Sequence, residues 1–347
     1  MRFIKDYDKI YFDNAKMGPI YSELHDWRIS YEKKLLEKKS ILRDNHEVFF
    51  KELKHDISSF FNAEKSEVLL TNSFTSGLQK ILYNLNNHTK FLIIKNDYPS
   101  IAQSIKNLKF NPIELEYSIN IEKTIENGVN KYNPNVLVVS MVQYIDGIKL
   151  DFNFIKKLKN KYNNLLIIGD GTQYCGSEKF DFDQSGFDAV IFSGYKWLFS
   201  GYGNAVILIK NFYYEFDYNK NDKELINNSI EGGHLDLFSF GSLKFSISQI
   251  NKQIDYISSE TKRLTKIMLD GLKDRELLDS KIFSRQSHSS IFNIEDKDGK
   301  LHSFLLKNNI QTSQRGKGCR LSLAFYNTKN EIKYFFKVFD DFSTRQP

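Results

Sequence analysis

Six short runs of consecutive apolar residues interrupt the first two thirds of the chain. They cover residues 68–70, 91–94, 136–139, 165–168, 189–192 and 205–209. Because the apolar residues are consecutive and not alternate, each run is typical of a strand buried on both faces. Amphipathic stretches, such as residues 155–162, separate most of the runs. This alternation predicts an α/β fold built on a doubly wound, mainly parallel sheet.

The pattern changes after about residue 240. A long helical stretch covers residues 243–274, a possible strand covers 287–294, and a helix, a strand and a helix follow. We therefore predict three parts. An N-terminal arm covers residues 1–20, a large domain covers 21–240, and a smaller C-terminal α+β domain covers 241–347, against which the N-terminal segment can also pack.

Charge and composition narrow the possible partners. The 347 residues include 49 basic and 43 acidic side chains, and the basic clusters near Lys33 and Lys156 lie on stretches with helical apolar spacing. Such clusters are typical of solvated helix faces, so we expect no nucleic-acid partner. No stretch approaches the ~18 apolar residues of a membrane helix, and the charged N-terminus does not resemble a signal peptide. We expect a cytoplasmic protein without a membrane partner.

The chain has two cysteines, Cys175 and Cys319, and neither belongs to a spacing typical of metal ligands. We therefore expect no metal site and no disulfide framework.

Two ionisable residues follow predicted strands. Asp170 follows the run at 165–168 after a single glycine, and Lys196 follows the run at 189–192 after three residues. Ligands of an open parallel sheet collect at the carboxyl ends of its strands. A carboxylate buried there is costly unless it has a positive partner or a functional task. From these two residues alone, a structural ion pair and a functional pair are about equally supported.

Three other positions offer groups for a ligand. Thr75 and Ser76 open an amphipathic helix, where N–H groups and hydroxyls suit a phosphate, although both residue types are also common helix caps. Tyr98 follows the run at 91–94 and can either stack on a flat cofactor or fill the rim of the core. Arg320 begins an apolar run, where its guanidinium needs a substrate carboxylate or a buried salt bridge.

Residues 187–196 (FDAVIFSGYK) and 201–205 (GYGNA) resemble the lysine signature of the class V aminotransferase and cysteine desulfurase family. Residues 11–15 (YFDNA) are similar to the family's opening motif, and residues 320–328 (RLSLAFYNT) are similar to its closing motif. The local motif formed by Val142, Gln143 and Tyr144, with Gly147, is similar to one in kynureninases. The resemblance covers nearly the whole chain and implies a fold-type-I transferase that depends on pyridoxal 5′-phosphate (PLP). It also implies a small amino-acid substrate and a homodimer with sites at the interface.

The resemblance implies a role for each matched residue. Lys196 would carry PLP as a Schiff base and move the proton at the substrate Cα, and Asp170 would pair with the pyridine nitrogen. The other cofactor contacts would be Thr75, Ser76, Ser193 and Tyr195 at the phosphate, Tyr98 stacked on the ring, Gln173 at the phenolic oxygen or the imine, Tyr144, and His234 reaching the neighbouring subunit's phosphate. Arg320 would bind the substrate α-carboxylate, and Asn14 would also contact the substrate.

The chain departs from the family pattern at several points. Tyr195 stands where the signature usually has His, Gln or Arg, and His234 replaces a common threonine. Residues 305–318 contain no cysteine, and Cys319 adjoins Arg320 and is expected to point the other way along a strand. Persulfide-forming desulfurase activity is therefore not expected, because that reaction needs a thiolate on a loop near the substrate.

Three functions remain open from the sequence. The first is a PLP-dependent aminotransferase. The second is a lyase or epimerase that uses the same Cα carbanion, and the third is a non-catalytic homologue that acts as a binding protein.

Overall fold

The computed structural model describes residues 1–3, 9–215, 223–286 and 288–345. The strands are β1 (Ile10–Tyr11), β2 (Glu67–Thr71), β3 (Phe91–Ile94), β4 (Ile113–Leu115), β5 (Val136–Ser140), β6 (Leu166–Asp170), β7 (Ala189–Ser193), β8 (Ala205–Ile209), β9 (Ile291–Glu295), β10 (Ile310–Gln311), β11 (Ser313–Arg315) and β12 (Gly318–Ser322). The helices are α1 (Ser22–Lys38), α2 (His46–Phe60), α3 (Phe74–Tyr83), α4 (Pro99–Asn107), α5 (Ile121–Tyr132), α6 (Phe152–Lys161), α7 (Asn211–Glu215), α8 (Lys223–Glu231), α9 (Leu237–Asn251), α10 (Ile254–Lys273), α11 (Ser280–Phe283), α12 (Lys300–Lys307) and α13 (Lys329–Thr344), with a 3₁₀ helix at Lys39–Arg43.

Seven of the described strands form one sheet in the order β2-β8-β7-β6-β5-β3-β4. The pairs from β7 to β4 are parallel, whereas β8 runs antiparallel to both β7 and β2. Strands β3, β5, β6, β7 and β8 bury every residue, as the consecutive apolar runs predict. The predicted α/β fold with a mainly parallel sheet is confirmed.

Alternate residues of these strands enter two hydrophobic clusters on opposite faces of the sheet. In β5, Leu137 and Val139 belong to one cluster, which also receives apolar residues of α2, α5, α6 and α9. Val136 and Val138 belong to the other cluster, together with residues of α3 and α4. Helices therefore cover both faces, and the carboxyl ends of the parallel strands stay free to form a site.

The C-terminal region contains a separate antiparallel sheet of three described strands in the order β11-β12-β9. It packs with α10, α12 and α13 around a third hydrophobic cluster, which includes Phe12 from the N-terminal segment. Strand β1 also pairs with β10. The division of the chain at residues 20 and 240 stays a prediction, and residues 4–8 of the predicted arm lie outside the described residues.

One helix prediction was wrong. The stretch 243–274 was expected to be one helix, but α9 ends at Asn251 and α10 begins at Ile254. No glycine or proline marks the break. Ile250 and Ile254 lie in the same hydrophobic cluster, so the apolar spacing continues across the break and conceals it. The strand expected at 287–294 corresponds to β9, which begins at Ile291 and ends at Glu295. Ser287 lies outside the described residues.

The described helices include none with the length and apolar character required to cross a membrane.

Candidate active site

Strands β6 and β7 lie side by side and run parallel, with Asp170 paired to Ile191. Lys196 follows the end of β7 by three residues, so it lies at the same edge of the sheet as Asp170. A recess at this edge is lined by Ser73, Phe74, Thr75, Tyr98, Ser140, Tyr144, Asp170, Thr172, Gln173, Ser193, Tyr195 and Lys196. The fold thus brings together residues from five separate strand ends, as expected for a parallel sheet.

Glycine residues shape the loop that carries Lys196. Gly194 N donates to Asn204 O at 3.1 Å, which closes the loop. A Cβ on Gly194 would lie 2.1 Å from Asn204 Oδ1, so no larger residue fits. Gly203 has a φ of +88°, which glycine adopts without steric cost. The spacing of glycines in the signature therefore follows from the tight return of the chain into β8.

Asp170 and Lys196 are both buried, with 5% and 6% of their surface exposed. Burial raises the pKa of the Asp170 carboxyl, and the hydrogen bonds from Thr172 and the charge of Lys196 oppose this rise. Burial lowers the pKa of Lys196, and Asp170 opposes that shift, whereas Arg320 and Arg315 add to it. Both groups are among the described residues, and they form no direct ion pair. The structural ion pair considered for these two residues is therefore not present.

A second buried carboxylate, that of Asp97, holds Tyr98 at the recess. Asp97 accepts hydrogen bonds from Ser140 N at 3.0 Å and from Ser140 Oγ at 2.5 Å. Tyr98 N also donates to Asp97, at 2.7 Å. The ring centroid of Tyr98 lies 5.8 Å from Lys196 Nζ. No role was predicted for Asp97, although its position shortly after the run at 91–94 indicates a place at the edge of the sheet.

The start of α3 supplies hydroxyls and N–H groups to the recess. Ser73 caps the helix by accepting from Ser76 N at 3.1 Å, and Ser193 Oγ accepts from Phe74 N at 2.9 Å. Thr75 lines the recess beside them. Ser76 lies behind this lining, where its hydroxyl accepts from Thr71 at 3.1 Å. The structure thus brings Thr75 and Ser193 to the recess wall and places Ser76 one layer away.

Gln173 is held from both sides. Its Nε2 donates to Ala15 O at 2.9 Å, and its Oε1 accepts from Trp197 Nε1 at 3.0 Å. Because the carboxamide has two N–H groups, one of them stays available for a ligand. The orientation of Gln173 therefore depends on the N-terminal segment as well as on the lysine loop.

Arg320 lies in β12, and only 2% of its surface is exposed. Its Nη1 donates to Tyr144 O at 2.8 Å, and its Nη2 lies 3.6 Å from Asp13 Oδ1. Burial lowers the pKa of Arg320 to about 10, and the Asp13 carboxylate opposes this shift. Among the described residues, Nε and Nη2 of Arg320 have no hydrogen-bond partner. A buried guanidinium edge of this kind fits a carboxylate, which would accept both N–H groups.

The remaining predicted residues lie farther from the recess lining. Asn14 is buried, its Oδ1 accepts from Tyr326 OH at 3.0 Å, and its Nδ2 has no partner among the described residues. His234 is exposed and contacts Arg43. Its expected contact with a phosphate therefore depends on a second subunit.

Neither cysteine lines the recess. Cys319 Sγ faces Thr312 at 3.4 Å on the opposite side of β12 from Arg320, and burial raises its pKa to about 12. The expectation that Cys319 points away from the direction of Arg320 is confirmed. Cys175 is buried, and burial raises the pKa of its thiol as well.

The residues of the recess fit PLP. A buried carboxylate, a buried lysine, an aromatic ring and a helix N-terminus with hydroxyls are the groups that its pyridine nitrogen, aldehyde, ring and phosphate require. The unpartnered edge of Arg320 adds a place for a substrate carboxylate. The described residues contain no cluster of His, Cys, Asp and Glu suited to a metal ion.

The family model described as aminotransferase class-V matches residues 33–335. Fold and recess together define a PLP-dependent enzyme of fold type I. The chain belongs to the class V aminotransferase family. A comparison with curated protein sequences finds no match.

Solved structures with the same fold include enzymes of sulfur chemistry. A NifS-like protein from Rickettsia africae ESF-5 superposes with a TM-score of 0.79 at 17% identity, covering 97% of this chain and 99% of that one. The cysteine desulfurase from Thermococcus onnurineus NA1 gives 0.81 at 14% identity, covering 98% and 96%. The cystine C–S lyase C-DES, in complex with its product cysteine persulfide, gives 0.81 at 14% identity, covering 95% and 97%. At these identities the likeness shows the fold.

Proposed function

We propose that the protein is an aminotransferase that acts on an amino acid, and that Lys196 both carries the cofactor and moves the Cα proton. The proposal rests on one observation: two buried ionisable side chains, Lys196 and Asp170, lie at the ends of adjacent strands. The unpartnered edge of Arg320 supports a substrate with an α-carboxylate.

Lys196 is suited to proton transfer because burial lowers the pKa of its amine. An amine with a lowered pKa is neutral over a wider pH range, so it can accept a proton at Nζ and return it. Asp170 would hold a proton at the pyridine nitrogen. Its neighbours Thr172 and Lys196 favour the charged carboxylate that this contact requires. Bound PLP would supply a conjugated ring that withdraws electrons from the substrate Cα.

Other residues would bind and orient. The phosphate would lie beside the start of α3, held by Thr75, Ser193 and Tyr195. Ser76 would support the first turn of α3, and His234 of a second copy would complete the phosphate site. Tyr98 would stack on the ring, and Tyr144 would close the recess beside it, since their ring centroids lie 5.6 Å apart. Gln173 would donate to the ring oxygen, while Arg320 and Asn14 would bind the substrate.

A PLP-dependent C–S lyase is the second candidate. It is favoured by the likeness to the cystine C–S lyase C-DES. Since neither cysteine lines the recess, such a lyase would act without a persulfide-forming cysteine of its own. Epimerisation would use the same Cα carbanion, but no further observation favours it. A non-catalytic homologue is disfavoured, because the chain belongs to an enzyme family.

We also propose that the enzyme is a cytoplasmic homodimer with its sites at the interface. Three large apolar side chains in α1 and the 3₁₀ helix that follows it are more than half exposed: Ile29, Leu36 and Ile41. Exposed apolar groups concentrated in one region are typical of an interface. The two cysteines are free and buried, which suits a reducing compartment.

The lysine assignment can be tested with the purified protein and added PLP. The wild type should show a visible absorption band that borohydride removes, and peptide mass spectrometry should place the reduced cofactor on Lys196. Lys196→Ala should lose the covalent adduct, whereas Lys297→Ala, at an exposed lysine, should keep it. A protein without the band, or an undiminished adduct in Lys196→Ala, would refute the proposal.

The reaction type needs a separate experiment. The holoenzyme is incubated with single amino acids and no acceptor. An aminotransferase should release about one keto acid per site and then stop, because its cofactor retains the amino group. Continued release of ammonia and keto acid would identify a lyase, and loss of optical activity without release would identify an epimerase.

A further inference from the structure

The hairpin of β11 and β12 has one polar face and one apolar face. Ser313 pairs with Arg320, and Arg315 pairs with Gly318. Because side chains alternate along a strand, Ser313, Arg315 and Arg320 share one face, and Cys319 lies on the other. Ser313 Oγ contacts both oxygens of Asp13, at 2.6 and 2.7 Å. Asp13 in turn faces Arg320, so the polar face is the one that meets the substrate side of the recess.

Arg315 is held in place by its backbone. Its carbonyl accepts from Asn293 Nδ2 at 3.1 Å, and the chain turns directly after it at Gly316, which has a φ of +57°. Gly318, across the hairpin, has no side chain, and a Cβ there would lie 1.8 Å from Asn293 Oδ1. The side chain of Asn293 therefore occupies the space over Gly318, on the face that also carries Arg315 and Arg320.

The charge of Arg315 has no carboxylate partner among the described residues. Its Nη1 donates to the neighbouring carbonyl of Gln314 at 2.8 Å. Glu295, which pairs with Gly318 in β9, binds Lys297 at 2.6 Å. One bond to a carbonyl leaves the charge of this half-buried guanidinium without an anion, so its surroundings favour an anionic ligand.

Arg315 also lies within electrostatic range of the recess. Its charge lowers the pKa values of Lys196, Tyr144 and Arg320. In the hairpin register, Arg315 and Arg320 are diagonal neighbours on one face, about 7–8 Å apart, a separation that long side chains can bridge. The two arginines therefore lie side by side on one face of the same sheet, and Arg320 contacts Tyr144 of the recess lining.

The other charged groups of this region each have an opposite charge nearby. Asp13 lies 3.6 Å from Arg320, and the charge of Asp170 acts on Lys196 without a direct ion pair. A substrate with a single carboxylate would bind the free edge of Arg320 and leave Arg315 unpaired. A substrate with two acid groups would satisfy both guanidinium groups, each through paired N–H···O contacts.

Resting on the proposed function, we propose that Arg315 binds a second acid group of the substrate, and that the enzyme acts on dicarboxylic amino acids. Arg320 binds the α-carboxylate, and Arg315 binds the acid group at the far end of the side chain. Arg315 thereby determines specificity and takes no part in the proton transfer.

Matched substrates isolate this contact. L-aspartate and L-asparagine, like L-glutamate and L-glutamine, differ mainly in side-chain charge. The wild-type holoenzyme should prefer the acid over its amide in kcat/KM by about 10- to 100-fold, as for one charge-assisted contact. Arg315→Gln should bring that ratio close to one, mainly through KM, and Arg315→Lys should restore part of it. The matched control is Arg263→Gln on the exposed face of α10, which should keep the wild-type ratio.

Binding of unreactive ligands gives a second readout. Succinate and glutarate should bind the wild-type holoenzyme at least 10-fold more tightly than propionate and butyrate in isothermal titration, and Arg315→Gln should remove this difference. A protein without the borohydride-sensitive band overturns the proposed function and this inference with it. A protein that has the band but prefers no acid, or whose preference survives in Arg315→Gln, overturns this inference alone.

Discussion

Replacing Asp13 by asparagine should destabilise the protein strongly, because it removes the carboxylate that faces Arg320. The two groups lie 3.6 Å apart and expose 1% and 2% of their side-chain surface. Burial raises the pKa of Asp13, whereas its hydrogen bonds with Ser313 and the charge of Arg320 favour the ionised form. The substitution keeps the shape of the side chain and an acceptor for Ser313, so its main effect is the loss of charge.

The expected magnitude follows from this distance and burial. Two charges at this separation attract by about 4.6 kcal/mol at the effective dielectric constant of ~20 that suits protein sites. Removing one member of a buried pair typically costs about 3–5 kcal/mol, because the other charge stays buried. We therefore expect Asp13→Asn to lower the free energy of unfolding by about 4 kcal/mol. For a chain of this size that corresponds to a fall in Tm of roughly 5–6 °C.

The assay is a double-mutant cycle on the holoenzyme, in which the stability of each variant is measured by thermal unfolding. Asp13→Asn, Arg320→Gln and the double variant are compared with the wild type. The double variant should cost less than the sum of the single variants by about 2 kcal/mol, since removing both charges leaves neither unpaired. Asp298→Asn, at an exposed pair, is the control and should leave Tm unchanged. Additive single costs, or a fall below about 2 °C in Asp13→Asn, would refute the reasoning.

Two further predictions concern other parts of the chain. Gly18→Ala places a Cβ 2.0 Å from Lys196 O, so it should lower stability by about 1–3 kcal/mol and reduce the bound cofactor; an unchanged Tm and PLP content would contradict this. Burial lowers the pKa of His288 to about 4, and an unfolded histidine titrates near ~6.5. The unfolded state therefore binds more protons between these values, so stability is lost as the pH falls through this window. His288→Gln should reduce that dependence in Tm measured against pH; identical slopes would contradict the assignment.

The main sheet was predictable because burial on both faces leaves a direct record in the sequence. The six consecutive apolar runs all became strands of this sheet. Strand β4, Ile113–Leu115, was not predicted, since it is a short edge strand with an exposed Glu114 at its centre. The antiparallel direction of β8 was not predicted either, because a strand buried on both faces has the same composition in either direction.

Residues of the recess were predictable where they lie at or shortly after the end of a strand, because parallel strands end at the same edge of the sheet. Lys196, Asp170 and Tyr98 were found in this way. Asp97 has the same kind of position as Tyr98, but its contact with Ser140 was not predictable, because the two residues are 43 positions apart and lie at the ends of different strands. The role proposed for Arg315 could not be predicted, because the face on which its side chain lies depends on the register of a hairpin, and residues 305–318 show no pattern that fixes this register.

The N-terminal segment connects Arg320 with the loop that carries Lys196. On one side, Asp13 faces Arg320, and Ala15 N donates to Ser322 Oγ in the same strand at 2.8 Å. On the other side, Ala15 O accepts from Gln173, and Gly18 N donates to Tyr195 O at 2.9 Å, directly before Lys196. Both sheets therefore contact one segment of six residues. Because its backbone is bonded at both ends, this segment fixes where a carboxylate bound to Arg320 would lie relative to Lys196 Nζ.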